Sequence, residues 1–418
     1  MPKFVEIWRE ATVTKVRNRT CRICSFDQFK TVIDFGENPL VNSLLEKEEL
    51  GKEKTHPLVV EQCQRCFLVQ IVNPVSSRQI YQDQDYLYYT GDMPQQSQYM
   101  RSFNGLITDI ENMTDPGDFI VEIGSNDGTV LKKFKERKIL GVDPSVNVAI
   151  RAIARGVPTL SAEFNERVAR NIAKEFGQAK IIGGANCLAH IDDIHSVLKG
   201  VKTLLVEGGI FWVECNYWVG MVKNKHYALI YHDHYSYFTL KNWVDLAAMY
   251  GLKVFDAYVT EAQGEGLSLR LYASFNGIPT KRFLSLLEED IKYNNYETAQ
   301  RYCIEVTEEA KKLAGLVRGL KGTVAGYGAA AKGFSILKLA GLDGRHIKFL
   351  VDDSPAKQGK YSPVTHIPII SRAEAEKQLP DYFIILAPNY SDVIMEKEAE
   401  YRKRGGKFIV PTGDMSVV

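Results

Sequence analysis

The sequence contains no apolar run approaching the roughly 20 residues that a membrane-spanning helix needs, so an integral helical membrane protein is not expected. It also lacks an excess of charge: 52 Lys and Arg stand against 51 Asp and Glu, a net +1. Without a basic excess there is no electrostatic footprint for DNA, RNA or an anionic membrane surface. Internal repeats of about 20–50 residues and low-complexity tracts are missing, which argues against a solenoid or a disordered chain. The opening MPKFVEIWREATVTKVRNRT has a Trp and mixed charges but no continuous apolar core, so no secretory leader is expected. Cysteine is sparse and odd in number, seven in all, which disfavours a disulfide framework. These absences point to a cytoplasmic protein with neither nucleic acid nor membrane as partner; a monomer or weak homo-oligomer is expected.

What remains is ordinary globular material: 418 residues, 45% hydrophobic and 25% charged. At about 150 residues per domain that length predicts two or three domains. The expected divisions are a metal-binding module over 1–74, an α/β domain with a preceding tyrosine-rich helical segment over 75–280, and a connector helix plus a second α/β domain over 281–418.

Four of the cysteines form two C-x-x-C pairs, Cys21/Cys24 and Cys63/Cys66. Each pair can turn two thiolates onto one face of a metal, and two pairs complete a tetrahedral four-sulfur Zn²⁺ site. With no open coordination position the zinc is expected to be structural.

From residue 118 short apolar runs alternate with amphipathic ones. Strands are predicted over 119–122, 139–142, 180–183 and 210–214, and helices over 129–138, 147–155 and 194–201. This rhythm implies a parallel sheet with helices on both faces. Residues 281–320 read as one long charged helical stretch. After it the rhythm restarts, with strands over 323–326, 347–351, 382–386 and 408–410 and a helix over 331–340.

The run Glu122-Ile-Gly124-Ser-Asn126-Asp127-Gly128 is a strand followed by a glycine turn, where the backbone can approach a ligand closely and a helix N-terminus offers free amides. It lacks the three-glycine dinucleotide fingerprint. The next strand ends in Gly141-Val-Asp143-Pro144, about twenty residues past Glu122, where an acidic side chain can accept ribose hydroxyls. The pairing suits S-adenosylmethionine, with the turn under the amino acid and Asp143 on the ribose. Asn186, after the strand at 180–183, either meets the ammonium or sulfonium or is a plain turn residue.

A second glycine turn, Gly326-Tyr327-Gly328-Ala329-Ala-Ala331-Lys332, matches G-x-G-x-x-A with Asp352 and Asp353 downstream, and alone it is a candidate NAD site. Lys332 in the first helical turn, with Lys357, Gln358, Lys360 and Tyr361 beyond, suits a diphosphate instead. The densest polar and aromatic run is Tyr231-His232-Asp233-His234-Tyr235-Ser236-Tyr237-Phe238, and His190 and His226 complete a histidine-rich stretch. An imidazole titrates near pH 6.5, so it can take and return protons near neutrality. The same histidines can equally be satisfied groups of a polar loop.

Taken in order, these motifs resemble the sugar C-methyltransferases that act on nucleotide-linked keto-deoxysugars. The resemblance runs nearly end to end. It includes Asp34-Phe35-Gly36 and Pro39-Leu40 between the cysteine pairs, Asn186-Cys-Leu-Ala-His190, the 230–239 segment, and 352–368. It implies a zinc-binding N-terminal module, a class I Rossmann-like methyltransferase domain and a second Rossmann-like domain for a TDP- or GDP-linked sugar. It further implies deprotonation beside a 4-keto group and methyl transfer to the enolate. His234 is then the general base. Asp233, His232, Tyr231 and Tyr88 position or stabilise the enolate. Glu122, Gly124, Asn126, Asp127, Gly128, Asp143, Pro144, Asn186 and Tyr86 hold the cofactor. Tyr327, Gly328, Ala329, Lys332, Lys357, Gln358, Tyr361 and Asn389 hold the sugar nucleotide. The chain departs from the family at Asp233, where the family has Glu, at Glu265-Gly-Leu-Ser-Leu-Arg270, where it has His-Gly-Gly-Ser-Leu-Arg, and at Pro388-Asn389, where it has Trp-Asn. O- or N-methylation, NAD-dependent oxidation and a non-catalytic zinc scaffold are the competing expectations.

Overall fold

A computed structural model describes residues 19–41, 43–82, 86, 88–134, 136–412 and 415–418. The expectation about a leader, and the first residues of the 1–74 module, fall outside the described residues. Three sheets organise the molecule. The first runs antiparallel through Phe29–Pro39, Thr55–Cys63 and Val69–Ile71. Its fourth strand, Ser236–Tyr237, comes from far along the chain, with Val69 opposite Tyr237 and Gln70 opposite Ser236.

The central sheet has seven strands in the order Lys253–Thr260, Ser268–Ser274, Leu205–Asn216, Ala179–Ala185, Phe119–Ile123, Lys138–Asp143, Thr159–Ser161. The last five are mutually parallel, as expected. The first two form an antiparallel hairpin on Leu205–Asn216, so the expected all-parallel sheet is mixed. Ser268–Ser274 is buried along its whole length but spelled with Ser, Arg and Tyr, which conceals it from a hydropathy pattern. Its buried Arg270 is neutralised by Glu214 on the neighbouring strand, Nε to Oε2 at 2.8 Å.

The third sheet places Ile369–Ile370, Leu350–Val351, Val324–Tyr327, Tyr382–Ile385 and Lys407–Val410 in parallel and adds Ser416–Val417 antiparallel at one edge.

Two helical expectations change. The helix expected over 129–138 is a single 3-10 turn, Leu131–Lys133, because the next strand must begin at Lys138 to pair with Phe119. The stretch at 281–320 is two helices, Lys281–Ile291 and Tyr296–Gly319. The break is fixed by Asn295, whose side chain accepts the Thr298 amide at 2.8 Å, a strong N-terminal cap that starts a new helix. The first helix packs with the central sheet through Phe283, and the second packs through Tyr302 and Val306 with the third sheet.

The cysteine module is not a separate bead. Cys21, Ile23, Cys63 and Leu68 share a core with Val121, Ile182 and Val213 of the central sheet. Its other face contributes Val32, Ile33 and Val60 to a core that includes Val324, Ile336 and Ile384 of the third sheet. The module therefore bridges the two α/β bodies. Among the described residues no helix is long and apolar enough to cross a membrane.

Candidate active site and metal centre

Sulfur atoms of Cys21, Cys24, Cys63 and Cys66 all lie within 4.8 Å of one another. Cys21 and Cys66 sulfurs stand 3.4 Å apart and those of Cys24 and Cys63 3.5 Å. These are far beyond a disulfide and close to the about 3.8 Å edge of a tetrahedron with Zn–S near 2.3 Å. The two knuckles are built alike. Ser25 N bonds Cys21 O at 3.0 Å and Phe67 N bonds Cys63 O at 3.1 Å. Both Ser25 and Phe67 adopt positive φ, 57° and 58°, which turns each chain sharply under its sulfurs. Crowding lowers the Cys63 thiol and raises Cys21 and Cys66, so these three do not all ionise together without a cation. The residues fit zinc.

A cleft of about 1180 Å³ opens between the central sheet, the third sheet and the cysteine module. Its first wall is the glycine turn. Gly124 takes φ +63°, and a Cβ there would lie 2.5 Å from Cys187 Cβ, so the turn accepts only glycine. Asp143 fixes the turn by accepting the amides of Asn126 at 3.0 Å and Ser145 at 2.9 Å. Because the described residues after the turn form only the 3-10 turn Leu131–Lys133 before Lys138, the amides at this wall belong to a turn rather than to a helix N-terminus.

Glu122, Gly124, Asn126, Asp143, Pro144, Asn186 and Tyr86 all line the cleft, as does Tyr88. Glu122 Oε2 and Asn186 Oδ1 are buried there without a hydrogen-bond partner among the described residues. Burial raises the Glu122 carboxyl well above its usual range, with Asp143 and Asp127 adding to the effect. A wall of unpaired acceptors suits a cationic ligand rich in donors, which is the chemistry of S-adenosylmethionine. Asp127 and Gly128 stand behind this wall. Asp127 is fully buried and pairs with Arg155, and it also accepts the Gly91 amide at 3.1 Å. It thereby holds the tyrosine-bearing segment against the turn, aided by Asn126 Oδ1, which accepts the Thr90 amide at 2.9 Å.

The second wall carries Tyr231, Asp233 and His234. His234 is 4% exposed. Its Nδ1 donates to Leu229 O at 2.6 Å, which leaves the Nε2 lone pair facing the Tyr231 hydroxyl at 3.2 Å. Burial, opposed by the Leu229 bond and aided by the Lys332 charge, pushes its pKa down to about 4, so the ring is neutral at pH 7. His232 points elsewhere: its Nε2 donates to His56 O at 3.2 Å, and it lies away from the cleft.

The third wall is the second glycine turn with Tyr327, Gly328, Ala329, Lys332, Lys357 and Asn389. Lys332 is buried, its Nζ donates to Gln263 O at 3.0 Å, and among the described residues no carboxylate pairs with it. Burial alone pulls its pKa down to about 7. Asp352, the acidic residue on which an NAD reading would rely, already accepts from Ala329 N at 2.8 Å and Lys357 Nζ at 3.1 Å. Gln358 and Tyr361 sit behind this wall. Gln358 donates to Asp352 O, and Tyr361 bridges to Leu45 of the cysteine module. Glu265 is exposed and lies outside the cleft, so the departure there removes no group from it.

The sequence reading left several cleft residues unassigned. His190 lies edge-on to His234, centroids 4.7 Å apart, and hydrogen-bonds the Tyr81 hydroxyl through Nδ1. Its place in the Asn186–His190 run was the available signal. Tyr99, whose hydroxyl receives Asn186 Nδ2 at 3.1 Å, belongs to the tyrosine-rich segment, which was its available signal, whereas Gln263, which acts through its backbone carbonyl, carries none.

Comparison with known proteins agrees with this geometry. Residues 21–81 match the family model described as "Putative zinc binding domain", 97–257 one described as "Methyltransferase domain", and 265–412 one described as "C-methyltransferase C-terminal domain". The chain is 36% identical over 407 residues to C-methyltransferase NovU of Streptomyces niveus, covering 95% of this chain and 96% of that protein. The chain belongs to the C-methyltransferase family. It is an S-adenosylmethionine-dependent enzyme with a zinc-binding four-cysteine cluster. Among solved structures the chain is similar to a methyltransferase from Clostridium acetobutylicum, 14% identical with TM-score 0.35 over 45% of this chain and 94% of that one. Another is magnesium protoporphyrin IX methyltransferase from Synechocystis PCC 6803, 11% identical with TM-score 0.33 over 47% and 88%. For this C-methyltransferase the NAD-oxidoreductase, O- or N-methylation and scaffold expectations fall away.

Proposed function

We propose that the enzyme methylates carbon beside the ketone of a nucleotide-linked 4-keto-deoxysugar. The observation that carries this reading is His234, its Nδ1 committed to Leu229 O, on the cleft wall between the acceptor-rich glycine turn and Lys332, which among the described residues pairs with no carboxylate. S-adenosylmethionine, when bound, supplies an electrophilic methyl group on a sulfonium. Glu122, Asn126, Asp143, Pro144, Asn186 and Tyr86 hold it against Gly124, while Asp127 and Gly128 shape the turn from behind.

His234 is the general base. With Nδ1 committed to Leu229 O, only Nε2 can take the proton from the carbon beside the ketone. The Tyr231 hydroxyl, now 3.2 Å from Nε2, is free to rotate towards the enolate oxygen as charge develops, and Tyr88 offers a second hydroxyl. Asp233 orients this pair of donors, and His232 acts from outside the cleft by fixing the segment to His56. The diphosphate lies on Lys332 and Lys357, with the Gly328–Ala329 backbone close behind and Tyr327 and Asn389 beside the nucleotide. Gln358 and Tyr361 hold that wall in place. Burial of Glu122, His234 and Lys332 on the three walls would limit water at the reacting carbon when both ligands are bound.

His234→Ala is the test. It should bind S-adenosylhomocysteine in a calorimeter as the native enzyme does, yet lose both methyl transfer and solvent-deuterium exchange into a keto-sugar nucleotide. Full turnover would remove His234 as the base. A panel of TDP- and GDP-linked keto-sugars, with the methylated carbon located by NMR, identifies the substrate.

A further inference from the structure

The residue after Cys21 is an arginine whose side chain is 2% exposed. Arg22 Nη1 reaches Ile71 O at 2.7 Å, Gln70 Oε1 at 3.0 Å and Tyr235 O at 3.1 Å, and Nε donates to Asp192 Oδ1 at 2.9 Å. Its guanidinium also lies 5.4 Å from the Tyr235 ring centroid. Tyr235 is the residue after His234, and Asp192 lies on the cleft wall two residues after His190. The Tyr235 carbonyl is further fixed by Ile71 N at 3.0 Å, the start of the pairing that makes Ser236–Tyr237 the fourth strand of the cysteine module. The other knuckle makes a parallel tie, Asn242 Nδ2 to Cys66 O at 3.0 Å.

We infer that Arg22 is a positioning residue, through which the four-cysteine centre sets the location of His234 in the cleft. This rests on the reading of His234 as base. The chemistry of the side chain supports it. A planar guanidinium directs donors along several fixed lines at once, and one such group can hold two strands and the histidine-bearing wall in a single geometry. A metal that freezes the Cys21–Cys24 turn freezes the origin of that fork. The zinc then has a catalytic consequence without an open coordination position, because displacing a base by about 1 Å costs on the order of 10²-fold in rate.

The experiment uses full-length Arg22→Lys, with Gln70→Met as a second route to the same fork and Arg19→Gln as a control on the same module. Arg19 pairs with Glu61 near the surface and touches neither wall of the cleft. Zinc content, S-adenosylhomocysteine affinity, kcat, KM and the ¹⁵N imidazole resonances of His234 are measured for each. The expected result for Arg22→Lys and Gln70→Met is one zinc per chain, cofactor affinity and KM within about threefold of native, kcat lower by about 10²-fold, and displaced His234 resonances. Arg19→Gln should match the native enzyme in all of these. Native kcat with unmoved His234 resonances in either folded variant overturns the inference. So does a rate that falls only in step with lost zinc or lost cofactor affinity. If Arg22→Lys does not fold, Gln70→Met decides by the same two readouts. His234→Ala, run alongside, separates the two ideas: turnover retained there defeats the base assignment, whereas the resonances still report whether Arg22 positions the ring.

Discussion

Replacing Lys332 by methionine tests the substrate site through two opposite effects. In the native protein burial brings this ammonium down to about pKa 7 from 10.5, and no carboxylate pairs with it among the described residues. The free enzyme should therefore lose its grip on a diphosphate as pH rises through 7, with kcat/KM falling about tenfold per unit above that value. In Lys332→Met the basic limb should vanish. KM below pH 7 should rise about 10- to 150-fold, the equivalent of roughly 1.5–3 kcal/mol for a lost charge-assisted hydrogen bond. Stability should move the other way. Between pH 7 and 10.5 the unfolded chain binds a proton at this lysine that the folded chain does not, so stability rises with pH across that window and the cost of the buried charge is greatest below 7. The 3.5-unit difference corresponds to roughly 5 kcal/mol as an upper bound. The variant should melt above the native enzyme at pH 6, and the gap should close towards pH 10.5. The Lys332 charge also depresses His234, so the acidic limb near pH 4 should shift upward in the variant. A variant with an unchanged KM–pH profile, or one less stable than native at pH 6, would refute the reasoning.

Gly124→Ala combines a positive φ with a Cβ 2.5 Å from Cys187 Cβ, so cofactor affinity measured by calorimetry should fall at least about tenfold, from roughly 1–3 kcal/mol of overpacking. Adding Cys187→Gly should restore part of it, and no restoration would locate the strain elsewhere. His234 and His226 are both held neutral by burial, at about 4 and about 3. Their folded pKa values lie below the unfolded 6.5, so their contribution is complete above pH 6.5 and is lost as pH falls towards 4. Melting temperature should decline over that range, and less so in His226→Gln. Chelating the zinc, or Cys66→Ser, should lower the melting temperature and loosen the Ser236–Tyr237 strand, read as faster amide exchange at Tyr237. Exchange there unchanged by chelation would separate the metal from the segment that carries His234.

Several features were legible because their chemistry is local. Two C-x-x-C pairs declare a metal site by spacing alone, and the structure brings their sulfurs together although 39 residues separate Cys24 from Cys63. The glycine turn at 124–128 and Asp143 declare themselves because close backbone approach needs glycine and a strand end needs an acceptor. The Ser268–Ser274 strand was not legible. Its buried Arg270 becomes acceptable only beside Glu214, a partner that sequence periodicity does not register. The helix expected over 129–138 failed for a similar reason: the pairing of Lys138 with Phe119 ended it before a helix could form. Asp127 and His232 were read as cleft residues from their neighbours, but Arg155 and His56 draw them to the other side of the backbone.

The sequence by itself determined the parts list: a four-thiol centre, a glycine turn at 124–128, a histidine-rich segment and a second glycine turn, each written in adjacent or regularly spaced residues. Only the tertiary structure decided how those parts face one another. It turned the 236–237 segment into a strand of the cysteine module, buried Arg22 between the first cysteine pair and the segment that carries His234, and left Lys332, among the described residues, with no carboxylate partner at the cleft. The reason is that hydrogen-bond geometry and desolvation depend on neighbours in space. A residue's type fixes what it can donate or ionise, while the fold fixes whether a partner or water is there to receive it.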